Sequence, residues 1–193
     1  MPRPKVISDE AILAEVLHLV QRIGPERFTL AAAGKQTGLS PSTLVQRFGS
    51  KRALLLAADR WAVERWVAGM DAVPEKRSAL DRLVAGMLYT VDPGTTAEEM
   101  ANSVSLLQIG LADSEFHAST KDGALRLRAR ILERLCEAAA NAELKPDVDL
   151  DGLAELVEIT YHGAMIRWAI HRDGRLVRSM ETAFTRLLRP YRA

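Results

Sequence analysis

Apolar residues recur along this chain at spacings of three and four, and sustained two-residue alternation is absent. Ile12, Val16, Leu19, Val20 and Ile23 form one stripe of a first amphipathic helix. Ser8 offers a hydroxyl cap, Asp9 and Glu10 sit in the first turn where the helix dipole favours acids, and Gly24-Pro25 ends the run. Two short helices follow at about 30–37 and 41–48, and Ser50 caps a fourth at about 51–70. At about 1.5 Å per residue the fourth is about 30 Å long, enough to leave one domain and enter the next. A fifth opens at Pro74-Glu75 and runs to about Val91, where Asp92-Pro93-Gly94 forms a turn. Thr96 with Glu99 makes a capping box for a sixth at 96–113. Helices at about 120–142, 149–171 and 175–189 complete an all-α pattern, broken by Lys145-Pro146-Asp147 and Asp173-Gly174.

The stretch from Thr29 to Lys51 narrows the reading. Gly34 removes a Cβ where two short helices would cross, and Gly38 supplies the positive φ that a tight turn between them needs. Ser40 then caps, and Pro41 presets φ at the first helical position. A helix started this sharply after a glycine turn is how a helix-turn-helix presents its second helix to a DNA major groove.

Charge agrees with this reading. From Arg27 to Ala58 there are five basic residues (Arg27, Lys35, Arg47, Lys51, Arg52) and no acid. Residues 1–60 hold nine Lys and Arg against five Asp and Glu, so the overall charge of +1 hides a basic head on a slightly acidic body. Phosphate neutralisation needs such a local patch, not a basic protein. The single cysteine, Cys136, excludes an intramolecular disulfide and, in an apolar-periodic segment, reads as a buried structural thiol. No apolar run approaches twenty residues, and Met-Pro-Arg-Pro-Lys is not followed by a signal-peptide core, so the expected compartment is the cytoplasm, with no membrane partner.

The 149–171 helix is apolar on two faces. Leu153, Val157, Thr160, Ala164 and Trp168 line one, and Leu156, Ile159, Gly163, Ile166 and Ile170 the other. The last helix carries Leu176, Met180, Ala183, Phe184, Leu187 and Leu188. The second face of the 149–171 helix is buried either in the chain's own core or against a second copy in a four-helix bundle.

Residues 8–60 resemble the DNA-binding head of the tetracycline-repressor (TetR) family, with Gly24, Thr29, Gly38, Ser40, Thr43, Phe48, Ser50 and Lys51 in register and Leu39 in place of the usual valine. The tail, Arg167 to Ile170, Asp173-Gly174 and Leu188 to Tyr191, is similar to the dimerising end of many members. The chain departs from the pattern at Ala33, Gly34, Thr37, Ser42, Val45 and Arg47. Val45 stands where the family typically has a tyrosine that bonds phosphate, and Arg47 can supply that anchor instead. The resemblance implies a helix-turn-helix DNA-binding domain over 1–52 and a helical effector-binding and dimerisation domain over 53–193. It implies no cofactor.

Residue roles follow from these readings. Leu30, Leu39, Leu44 and Phe48 are core. Thr29 and Ser40 are caps which, in the resembled family, also approach phosphates. Lys51 and Arg47 are the expected phosphate contacts, within a DNA-facing set that includes Lys35, Thr43 and Val45; solvated surface charge is the alternative for the basic members. Pro41, Ser42 and Gln46 face base edges, since Gln pairs with adenine N6 and N7 and Ser with either base type. Arg3 and Lys5 form either an arm along the DNA or a disordered tail. The resemblance also implies an effector pocket, with candidate lining residues Trp66, Met70, Met87, Leu106, Gln108, Tyr161, Met165 and Trp168 and a small, largely apolar or aromatic ligand. Plain core is the alternative for each. The expected dimer interface is Leu156, Ile159, Gly163, Ile166, Ile170, Met180, Phe184 and Leu187.

No nucleophile, acid/base or metal-ligand spacing stands out among His18, His117, His162 and His171, and the Asp147, Asp149, Asp151 alternation lacks the Gly and Glu of a calcium loop. The chain therefore reads as a non-enzymatic regulator: a ligand-relieved repressor binding a palindromic operator as a homodimer. The alternatives are an activator or ligand-requiring regulator of the same fold, and a helical ligand-binding or protein-docking module that no longer reads DNA.

Overall fold

The computed structural model describes residues 7–74 and 78–193. Arg3 and Lys5, and Glu75 at the expected start of the fifth helix, lie outside the described residues. Among the described residues the chain forms nine α-helices: α1 (Asp9–Ile23), α2 (Leu30–Thr37), α3 (Pro41–Phe48), α4 (Lys51–Gly69), α5 (Ala79–Met87), α6 (Ala97–Ala112), α7 (Ser114–Ala140), α8 (Leu150–His171) and α9 (Leu176–Leu188). They fall into two compact units. The first holds the residues up to Val63 with Ala101–Thr120, and the second holds Glu64–Met100 with Lys121–Ala193.

The first unit is built on short-range signals. Ser8 Oγ accepts from the Ala11 N–H, Thr29 Oγ1 from Ala32 and Ser40 Oγ from Thr43, at 3.2, 3.0 and 3.1 Å. Each satisfies one of the donors a helix start leaves open. Gly38 adopts φ 73° as the left-handed cap of α2. At Gly34 a Cβ would sit 2.6 Å from the Leu39 carbonyl oxygen, so only glycine lets the chain fold back this tightly. Ile12, Val16, Leu19 and Val20 of α1 then close on Phe28, Ala33 and Leu44. The unit extends beyond residue 52 because Leu54, Leu55, Leu56 and Ala58 of α4 and Phe116 of α7 belong to the same core, with Leu106 and Ile109 packed against it.

The second unit buries Met70, Leu80, Leu83, Met87, Leu127, Ile131, Leu135, Val157, Met180, Phe184 and Leu188. Three features differ from the sequence expectation. Helix α5 spans only Ala79–Met87: Ser78 caps its start, and the Glu143 carboxylate accepts from the Ala79 and Leu80 N–H groups at 2.8 and 3.0 Å. Helix α7 begins at Ser114 because Asp113 Oδ1 accepts from Glu115 and Phe116, making Asp113 an N-cap. Cys136 is exposed on α7, not buried, because its helical neighbours Leu135 and Ala138 take the inward positions. No helix of the described residues is long and apolar enough to cross a membrane.

Candidate DNA interface and ligand site

Helix α3 is anchored by Leu44, with Phe48 packed against the same core, and leaves one face exposed. Leu44 is fully buried, while Pro41, Ser42, Val45 and Gln46 are exposed. The hydroxyls at its start are already engaged. Ser40 Oγ lies 2.8 Å from both Ser42 Oγ and Thr43 Oγ1 while capping Thr43. A base or phosphate approaching Ser42 therefore meets a hydroxyl that already has one partner and can rotate to share it.

The basic residues separate into two kinds. Lys35 and Lys51 are exposed without an ion pair among the described residues; the Lys51 ammonium lies 5.9 Å from the Phe28 ring centroid. Arg47 is instead only partly exposed and tied to the start of α1. It donates to the Ile7 carbonyl at 3.0 Å and pairs with the Asp9 carboxylate at 2.5 Å. Arg52 pairs with Asp113 and Glu115 at 2.8 and 3.0 Å and lies over Phe116. The basic stretch thus carries less unpaired charge than its composition suggests. Sequence reasoning missed Asp9 as a partner of Arg47, and no local pattern announces it. It also missed the clamp in which Gln36 accepts from Arg22 and donates to Glu15, joining α1 to α2.

In the second unit, Met70 and Met87 are fully buried, and Tyr161 and Trp168 nearly so. Trp168 donates to the Gly174 carbonyl at 3.2 Å and is structural. Trp66 and Tyr161 stack, with ring centroids 4.6 Å apart and planes tilted by 32°, and His162 meets both rings edge-on at 6.2 and 5.4 Å. Burial pushes the Tyr161 phenol up to about 12 against a hydrogen bond with Thr90. Burial lowers the His162 pKa, opposed by the Glu158 charge. Met165 packs against the same core. Leu106 belongs to the first unit, and Gln108 is exposed on α6. His162 and Thr90 join this cluster without having been singled out as lining residues; the Tyr161-His162 adjacency was the available signal. A separate groove of about 330 Å³ between α5 and α9, rimmed by Asp81, Glu181 and Arg192, has none of the predicted lining residues on its walls.

The expected interface residues split. Leu156, Ile159, Ile166 and Ile170 are 38, 57, 44 and 71% exposed, and a Cβ on Gly163 would meet nothing within 4 Å. Leu187 is half-buried. Met180 and Phe184 are a correction: they are buried in the protomer's own core, because the α9 stripe faces α8 from within the unit. Among the described residues no group of three or more His, Cys, Asp or Glu side chains is placed to hold a metal.

No family model matches the chain. It is 30% identical over 173 residues to the HTH-type transcriptional repressor ComR of Escherichia coli K12, across 85% of this chain and 80% of ComR. Its fold is that of a TetR transcription regulator from Haloarcula marismortui (TM-score 0.78, 16% identity, 96% of this chain and 98% of that one). It is also that of a transcriptional regulator from Saccharomonospora viridis in complex with choline (TM-score 0.76, 21% identity, 95 and 96%). A capped helix-turn-helix, an all-α body and a repressor relative spanning most of both chains agree: the chain belongs to the TetR family of transcriptional regulators, which are not enzymes.

Proposed function

We propose that the protein is a ligand-relieved repressor that binds a palindromic operator as a homodimer. The observation that carries this reading is the outward face of α3: a helix locked by Leu44 and Ser40 that exposes Pro41, Ser42, Val45 and Gln46. Gln46 and Ser42 read base edges, and Lys35, Lys51 and the α2 and α3 N-termini at Thr29 and Ser40 hold phosphates. Arg47 reaches a phosphate only by sharing or leaving Asp9. Two heads in one dimer would read half-sites with centres about 34–36 Å apart, or a multiple of that.

The reading assigns residues 1–52 to DNA binding and the rest of the chain to effector binding and dimerisation. The effector is small and largely apolar or aromatic, held near Trp66, Met70, Tyr161 and Met165. That a regulator of this fold is found in complex with choline supports small-molecule binding as a property open to this fold. Helix α4 gives residues to both units, so a ligand-dependent shift of α4 changes the spacing of the two heads and lowers operator affinity. A coupling of about 1–3 kcal/mol changes affinity by roughly 5–150-fold, enough to switch a promoter.

Selection of a random duplex pool by the purified protein, at near-physiological salt, tests the reading. An enriched inverted repeat is the expected result. A folded, ligand-free dimer that enriches nothing would turn attention to a form that needs its ligand to bind DNA, and addition of candidate effectors during selection would reveal it.

A further inference from the structure

The Trp66–Tyr161–His162 cluster contains one polar group left over. The Tyr161 hydroxyl has Thr90, and the other nearby indole, Trp168, has the Gly174 carbonyl. The Trp66 Nε1–H is shielded from solvent and has no hydrogen-bond partner. Buried donors in folded proteins are satisfied almost without exception, so an orphan beside a stack of aromatic rings calls for an acceptor from elsewhere. We propose that the effector site of the second unit is organised on the Trp66 indole N–H and takes a neutral, planar aromatic molecule bearing a carbonyl or ether oxygen. This rests on the ligand-responsive reading above.

The surroundings select that class. Burial keeps the Tyr161 phenol protonated and the His162 ring neutral near pH 7, and the charge acting on His162 is the Glu158 carboxylate. An anionic ligand is repelled by Glu158, and no cation figures among the charges acting on Tyr161 or His162. A quaternary ammonium fares no better. It has no lone pair to accept from the Trp66 N–H and would leave that donor orphaned even when seated on an outer face of the stack. A flat ring adds to such a stack as a further layer, while its oxygen accepts from Trp66. The neighbours can adapt: Met70 follows the last residue of α4, four positions after Trp66, and Met165 stands one turn beyond Tyr161 on α8. Methionine repacks around an incoming group more readily than a branched side chain.

The test uses the full chain and four probes: acetophenone, its oxygen-free near-isostere isopropylbenzene, benzoate and tetramethylammonium. Binding is read by calorimetry and by the side-chain indole N–H resonances in ¹H–¹⁵N spectra. Acetophenone should bind about tenfold more tightly than isopropylbenzene, and Trp66→Phe, which keeps a ring and removes the N–H, should abolish the difference. In the wild-type spectrum, with the Trp66 indole N–H assigned through its own side-chain-to-backbone NOEs, acetophenone should move that resonance further downfield than isopropylbenzene, whose ring current acts without a hydrogen bond. The shift keeps the test open should Trp66→Phe misfold. Equal acetophenone affinity in Trp66→Phe, tighter binding of benzoate or tetramethylammonium, or no binding to the folded wild type overturns the proposal. Acetophenone binding that depends on Trp66 but leaves operator affinity unchanged would keep the site and overturn the ligand-relieved repressor.

Discussion

At the scale of single residues, Gln46 and Lys51 are both exposed, and they separate by what each can read. A glutamine amide matches adenine N6 and N7, whereas an ammonium recognises only charge. Gln46→Ala should therefore relax preference at one base pair of the operator, while Lys51→Ala weakens specific and random DNA alike and reduces the salt slope by about one. Titrations on both DNAs at several salt concentrations check this; equal losses for Gln46→Ala would remove it from the base-reading set. Arg47 behaves differently because Asp9 holds it. Asp9→Asn removes the competing carboxylate, so non-specific affinity should rise with a steeper salt dependence, while thermal stability changes little because the Asp9 side chain is exposed and Arg47 keeps its bond to the Ile7 carbonyl. In the body, burial holds His162 neutral and sets its folded pKa below the unfolded 6.5. Below pH 6.5 the unfolded chain then binds a proton the folded one refuses. This contribution to stability is present above 6.5 and lost as pH falls through the window beneath it. Denaturant midpoints between pH 7.5 and 5.5 should fall for the wild type and fall less for His162→Gln.

At the scale of elements, the turn between α2 and α3 is where geometry leaves least choice. Gly34→Ala brings a Cβ to 2.6 Å from a backbone carbonyl, which cannot swing away as a side chain would. A destabilisation of about 1–3 kcal/mol is expected, measured by urea unfolding, together with loss of operator binding as α3 tilts. This turn also shows what the sequence made legible. The caps at Ser8, Thr29, Ser40, Thr96 and Asp149 and the left-handed Gly38 are determined within four residues, so the helix limits of α1, α2 and α3 could be read directly. Where an element answers to something distant, the reading failed. Helix α5 takes part of its N-terminal capping from Glu143, and Arg47 is claimed by the start of α1. The start of α7 at Asp113 was local, but the apolar period obscured it. The aromatic cluster was half legible: Trp66 and Tyr161 stood out as large rings at helical spacing, whereas Thr90 joins only because the fold brings it there.

At the scale of the whole molecule, the question is what covers the second face of α8. Periodicity alone left two answers, the chain's own core or a second copy, and burial separates the faces. Leu153, Val157, Ala164 and Trp168 are inside, while Leu156, Ile159, Ile166 and Ile170 are left exposed along one side of α8. A row of large aliphatics in water is a liability for a monomer, and Gly163 within it lets another backbone approach closely. Met180 and Phe184 contribute to any dimer only indirectly, by fixing α9 against α8 from within. Two substitutions therefore have opposite signatures. Ile166→Glu places a charge on the exposed row, so the protomer should stay folded by circular dichroism but sediment as a monomer. Its operator affinity should collapse, because one head binds one half-site without the second to hold it. Phe184→Ala instead opens a cavity in the core and should cost about 3–5 kcal/mol of stability, with dimerisation lost only as folding is lost. A monomeric wild type would remove the homodimer, and a dimer undisturbed by Ile166→Glu would place the interface elsewhere on the molecule. The pairing of two heads would then have to be derived from another surface.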